Sequence, residues 1–207
     1  MDSSITNKLR YEIKVNYKEK LFTIKDFLHL SNYDTIKRLL VRFENENLII
    51  RIINGIYAIP KYSKLTNELV PVSPNKLAHK IAENFSWKII PTGLQALNIL
   101  GLSEQIPVVY EYLSTGPYRD YEYNGKTIKF KNTRSNEINE LSYKSSVVVS
   151  AIRTLGKSNI TKNQVKQIRD NLTSIEKEKL LHETKKVTVW IYEVIKEIYS
   201  NGKIFKQ

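Results

Sequence analysis

The 207-residue chain contains no cysteine, one methionine, two tryptophans, three histidines and seven glycines. Without cysteine there is neither a disulfide nor a thiolate metal site, which fits a reducing cytosol. The histidines, His29, His79 and His182, stand far apart without ligand spacing and predict neither a metal centre nor a general base. No glycine-rich phosphate loop occurs; Gly93, Gly101, Gly116 and Gly125 each have a turn or helix-cap role to fill. Asp120 and Glu122, followed by Lys126 across an Asn-Gly turn, lack the spacing of a nuclease's carboxylate–lysine site. No apolar run is long enough to span a bilayer, and residues 1–20 lack the apolar segment of a signal peptide. These absences predict a cytoplasmic protein with no enzymatic activity, cofactor, metal or membrane partner.

Acidic residues are also scarce. Against 33 Lys and Arg there are 21 Asp and Glu, giving a formal charge of +12 and a pI near 9.6. Such a balance favours a polyanionic partner, whether DNA, RNA or an acidic protein face.

The chain is organised around Ser31 to Pro60, SNYDTIKRLLVRFENENLIIRIINGIYAIP. Ser31 is a candidate N-cap, and Ile36, Leu39, Leu40 and Phe43 recur at helical spacing, so one stripe faces a core. At about 100° per residue, Arg38 emerges nearly opposite Ile36, with Arg42 one turn further on. Two β-rich runs follow, LIIRII and IYAIP, joined by Asn54-Gly55, a strong hairpin signal because both residues tolerate positive φ. Upstream, residues 3–15 read as a helix, with Ile5, Leu9 and Ile13 four apart. Thr23-x-x-Asp26 has capping-box spacing for a short second helix. Helix, helix, helix and hairpin in this order predict a winged helix-turn-helix over residues 1–62.

The charge of residues 1–60 is only +3, so a DNA reading rests on where the cations sit. Asn32, Tyr33, Thr35, Arg38 and Arg42 are the candidate base-contacting face. Lys37, Arg51, Asn54 and Lys61 are candidate phosphate contacts, which fix register without reading sequence. The alternative is a helix–hairpin unit whose basic face is merely solvated.

Lys61 to Val72 reads as a connector, and Ser73-Pro74 restarts order with Ser at the N-cap and Pro at the first helical position. The predicted second domain, residues 73–207, is α+β with a small antiparallel sheet and C-terminal helices. The first helix of this domain carries Leu77, Ala78, Ile81, Ala82 and Phe85; Thr92-x-x-Gln95 starts another that stops at Gly101. A second hairpin, RDYEY and KTIKFKN joined by Asn124-Gly125, alternates Tyr121, Tyr123, Ile128 and Phe130 with lysines. Helices follow from Glu137, with capping-box spacing at Thr161-x-x-Gln164 and Thr173-x-x-Glu176. Arg119, Lys126, Lys129, Lys131 and Arg134 form a basic cluster on the hairpin. They read either as a polyanion- or partner-binding face or as a solvated sheet whose edge lysines discourage aggregation.

The run Pro91 to Arg134, preceded by NGIYAIP, resembles the DUF6088 group of AbiEi-type proteins, which are antitoxins and transcriptional regulators of type IV toxin–antitoxin, abortive-infection phage-defence systems. The resemblance spans about residues 20–155 and rests on Pro91-Thr92-Gly93, NILGLS at Asn98–Ser103, Thr115-Gly116-Pro117, Arg119 and Arg134. Where the family often has Arg-Gly ahead of the wing's Tyr and Pro, this chain has Asn54-Gly55, which keeps the turn without the arginine. The resemblance implies an N-terminal winged helix that binds double-stranded operator DNA and represses its own operon. It also implies a C-terminal domain opposing a nucleotidyltransferase-like toxin, either directly or through the toxin's RNA target. Two other readings fit the residues: a stand-alone winged-helix transcription factor with a ligand-sensing or dimerising domain, and an RNA-binding accessory protein.

Overall fold

Leu9 and Ile13, four residues apart, turn one side of the first helix, α1 (Ser3–Asn16), into a core where both are fully buried. The computed structural model describes residues 3–135 and 137–200, and its architecture is α+β. The chain divides into two compact units, Met1–Ser86 and Trp87–Gln207.

In the first unit a 3-10 turn, Ile24–Phe27, follows α1. Asp26 closes it, its Oδ2 accepting from the Thr23 N–H at 2.7 Å and the Thr23 hydroxyl at 3.1 Å. Helix α2 (Tyr33–Asn45) buries Ile36, Leu39, Leu40 and Phe43, the expected stripe. Its cap is Asn32 and not Ser31: the Asn32 Oδ1 accepts from the Thr35 N–H at 3.0 Å, and Ser31 lies one residue too early to reach that amide. Strands β1 (Ile50–Ile53) and β2 (Ile56–Ala58) pair antiparallel. At their turn Gly55 alone takes positive φ, +80°, and the register shifts by one residue between Arg51 and Ile53. Phe22 and Tyr57 exchange backbone hydrogen bonds of 3.0 and 2.9 Å, a single β-bridge onto the two-stranded hairpin.

The expected connector is closed on itself by a Tyr62–Leu69 bridge and a 2.7 Å bond from the Val70 N–H to the Lys61 carbonyl. The next helix, α3 (Pro74–Asn84), starts at Ser73-Pro74 as predicted but belongs to the first unit, so the division falls at 86/87 and not within 61–72. Side-chain contacts account for this. The Lys80 Nζ, its side chain 9% exposed, reaches the Asp26 carboxylate at 3.0 Å, and the Lys25 Nζ donates to the Asn84 carbonyl at 2.8 Å. Phe85, expected on the buried face, is 43% exposed at the helix end.

The second unit holds a four-stranded sheet in the order β3-β4-β6-β5, from β3 (Ile89–Pro91), β4 (Val109–Ser114), β5 (Arg119–Tyr123) and β6 (Lys126–Asn132). The expected antiparallel sheet is in fact mixed, because β6 runs parallel to β4. Residues 115–118 carry the chain past one strand position, about 9.6 Å at the usual strand spacing, and β6 returns into the gap. Here Asn124 and Gly125 both take positive φ, +49° and +69°, giving the regular tight turn that Asn54-Gly55 does not form.

Helix α4 (Gly93–Ile99) connects β3 to β4, and α5 (Glu137–Glu140) follows β6. Helix α6 (Tyr143–Leu155) is buried continuously from Ser145 to Ile152, against α4, β3, α8 (Ser174–Glu183) and α9 (Val189–Tyr199). The Thr161–Gln164 and Thr173–Glu176 boxes form as predicted, opening α7 (Lys162–Asp170) and a separate α8. Arg169 donates to the carbonyls of Glu197 at 3.0 Å and Ile198 at 3.2 Å, satisfying the C-terminus of α9. Among the described residues no helix is long and apolar enough to cross a membrane.

Candidate nucleic-acid interface

Helix α2 is held from below by its buried stripe, which leaves Tyr33, Lys37, Arg38 and Arg42 exposed and Thr35 half-buried. The Arg38 Nε donates to its own helix at the Asp34 carbonyl, 3.3 Å away, and neither Lys37 nor Arg38 forms an ion pair among the described residues. Arg42 differs. Its Nε donates to Glu46 Oε1 at 2.8 Å, while the Arg10 Nη2, from α1, donates to Glu46 Oε2 at 2.6 Å. Hydrogen bonds from the two arginines hold the Glu46 carboxyl below the usual carboxylate range.

On the other flank the Arg51 Nη2 donates to Glu44 Oε2 at 2.8 Å, and its guanidinium lies 5.4 Å from the Tyr57 ring centroid. The hydrogen bond to Glu44 raises the Arg51 pKa further above its ordinary value. The Lys61 Nζ pairs with Glu19 at 2.7 Å. Asn54 is exposed at the hairpin tip, and Asn32 uses its side-chain acceptor as the helix cap. Of the nine candidate contacts, three cations are therefore already engaged by glutamates, and Lys37 and Arg38 carry the unpaired charge.

The basic cluster of the second unit does not form one face. Arg119 pairs with Phe130 and Tyr123 with Lys126, so Arg119 and Lys126 lie on the side of Tyr121, Ile128 and Phe130. Lys129, opposite Asp120, projects from the other side together with Lys131, because side chains alternate along a strand. Their partners also differ. The Arg119 guanidinium lies 5.8 Å from the Trp87 ring centroid and Lys126 sits 5.5 Å from that of Tyr110, whereas Lys129 and Lys131 pair with Asp120 at 3.7 Å and Glu111 at 2.7 Å. The pairing with Glu111 raises the Lys131 pKa. Arg134 lies beyond the strand, exposed and without an ion pair among the described residues. Asp120 and Glu122 share one side and Lys126 takes the other, so these three do not converge.

A family model of unknown function, DUF6088, matches residues 8–180. The chain belongs to that family. No curated protein matches it. Among solved structures, the crystal structure of the RV2827C protein from Mycobacterium tuberculosis is similar at 9% identity and a TM-score of 0.47, covering 97% of this chain and 78% of that one.

Sequence reasoning missed two features of this DUF6088 member. Arg10 stacks 4.7 Å from the Phe43 ring centroid and shares Glu46 with Arg42. Its place one residue after buried Leu9 marks it as a flank of α1, and the i,i+4 spacing of Arg42 and Glu46 was readable. The second is the packing of Trp87 on Gly116, where an added Cβ would come within 2.2 Å of the indole. Thr115-Gly116-Pro117 thus has a steric role that no local pattern reveals.

Proposed function

We propose that this protein is a DNA-binding transcriptional repressor of its own operon and an AbiEi-type antitoxin without catalytic activity, opposing a nucleotidyltransferase-like toxin. The first unit acts as a winged helix-turn-helix, with α2 in the major groove of operator DNA and the Asn54-Gly55 hairpin as the wing. The observation that carries this reading is the pair Lys37 and Arg38, exposed and, among the described residues, outside any ion pair on α2, beside a hairpin that Phe22 joins through a single β-bridge. Arg38 has the reach for bidentate contact with guanine, and Lys37 suits a phosphate. The antitoxin part rests on the sequence resemblance and is tested by growth on co-expression with the neighbouring toxin-like gene.

The DNA part is tested by titrating the full chain against the duplex upstream of its gene and against a random duplex. Arg38→Ala is expected to weaken the upstream duplex by about 1–3 kcal/mol, roughly 5- to 150-fold, with a far smaller effect on random DNA. Equal losses on both would make Arg38 a phosphate contact. No binding of the upstream duplex at low salt, where phosphate contacts are strongest, would refute the reading.

A further inference from the structure

Two acidic residues end α2: Glu44 in its last turn and Glu46 at its C-cap. Neither is explained by helix stability. The C-terminus of a helix carries the negative end of the macrodipole and disfavours carboxylates. Exposed ion pairs contribute about 0–1 kcal/mol, and both glutamates are about one-third exposed. What they do share is geometry. Each accepts from an arginine on the flank of α2 within 2.8 Å, Glu46 from Arg42 and Glu44 from Arg51, and Glu46 also takes Arg10. The outward residues between those flanks, Lys37 and Arg38, are left unpaired.

We infer that Glu44 and Glu46 hold Arg51 and Arg42 away from DNA phosphates and so suppress the non-specific DNA affinity of the α2 face. This rests on the DNA-binding reading. Non-specific binding is a count of phosphate contacts, each releasing counterions. An arginine already neutralised at 2.8 Å gains little by exchanging a carboxylate for a phosphate, and the carboxylate left behind repels the backbone. Lys37 and Arg38 need no such exchange, so encounters with random DNA are limited to few contacts.

The test titrates the full chain with a random 30-base-pair duplex and the duplex upstream of its gene, across salt concentrations. The variant is Glu44→Gln with Glu46→Gln. The control, Glu12→Gln with Glu68→Gln, has the same net charge but releases no arginine, since Glu12 pairs with His29. Of the three arginines released, Arg10 stays stacked on Phe43, so the two on the flanks of α2, Arg42 and Arg51, should steepen the salt slope on random DNA by about 1.8, and at 0.1 M salt raise affinity roughly 10- to 60-fold, about 8-fold per contact. Each single Glu→Gln change should give about half the slope, which serves if the double variant melts early. A random-duplex affinity within twofold of wild type, or an equal gain in the control, overturns the inference while leaving upstream binding intact. Loss of the underlying reading shows differently, as wild type and both variants failing on every duplex.

Discussion

Gly116→Ala tests the packing that the second unit builds around Trp87. A Cβ placed on Gly116 would lie 2.2 Å from Cε2, 2.3 Å from Cδ2 and 2.6 Å from Nε1 of the indole. Carbon atoms rest about 3.5–4.0 Å apart, so ring or backbone must yield by more than about 1 Å. Neither is free to do so. The Gly116 N–H donates to the buried Ser114 hydroxyl at 2.9 Å, its carbonyl accepts from the Asn132 Nδ2 at 2.8 Å, and the preceding Thr115 N–H is bonded to the Lys88 carbonyl at 3.1 Å. The indole meets the Phe130 ring edge-on with centroids 5.6 Å apart. Overpacking costs about 1–3 kcal/mol and loss of the aromatic pair about 0.5–1.5, together roughly 2–4 kcal/mol. For a unit of about 120 residues this lowers the melting temperature by roughly 8–16 °C. The assay is thermal melting by circular dichroism, with tryptophan emission followed in a Trp190→Phe background to isolate Trp87. In a Trp87→Ala background the same substitution should cost below about 1 kcal/mol, so the coupling energy of the cycle carries most of the effect. A Gly116→Ala cost under about 0.5 kcal/mol, or an equal cost with and without the indole, would refute the steric argument.

Asp26→Ala should cost about 2–4 kcal/mol, because it unties the 3-10 turn and leaves the buried Lys80, among the described residues, with the exposed Glu83 at 3.3 Å as its remaining carboxylate. Lys80→Met should cost less, since Asp26 keeps its bonds to Thr23; equal costs in denaturant melts would locate the effect in the ion pair alone. At Glu183, burial raises the carboxyl pKa, but hydrogen bonds from Ser145 and from the Ser142 N–H (3.0 Å) and hydroxyl (2.8 Å) outweigh it, leaving the folded value below the ordinary one. A depressed folded pKa gives stability that is present above the unfolded value, about 4.3, and lost as pH falls through the folded one. The melting difference between wild type and Glu183→Gln should therefore be full at pH 7 and shrink below about pH 4; a pH-independent difference would contradict it.

Local chemistry was legible in the sequence wherever it decides the outcome locally. Thr23–Asp26, Thr161–Gln164 and Thr173–Glu176 are capping boxes because each needs only four consecutive residues. The same spacing fails at Thr92–Gln95, where the hydroxyl donates instead to the carbonyl and carboxylate of Glu111 on β4 and Gln95 is buried. A partner nineteen residues away overrides the local pattern there. The sheet order and the parallel β4–β6 pair were equally invisible, since nothing in β4 or β6 alone specifies which edge the hairpin joins. The split of the basic cluster was readable and was missed. Tyr121 and Tyr123 were correctly aligned with Ile128 and Phe130, and the same alternation assigns Arg119 and Lys126 to that side and Lys129 and Lys131 to the other.

That split changes what the net charge of +12 means. A polyanion responds to cations that are both near one another and unneutralised, and sequence proximity guarantees neither. Along the hairpin, alternation separates the lysines by side, and Asp120 and Glu111 neutralise those on the side of Lys129 and Lys131. On α2, helical periodicity brings Lys37 and Arg38 outward, while Glu44 and Glu46 engage the arginines on either flank. In the second unit, exposed Lys162 and Lys166 stand one turn apart on α7, preceded by Lys157, and none of the three forms an ion pair among the described residues. Lys37 and Arg38 on α2 and Lys162 and Lys166 on α7 are thus among the cations without an ion pair in the described residues, as are Lys8 and Lys14 on α1 and Lys126 on β6, so the positive charge that is not neutralised is spread over several elements.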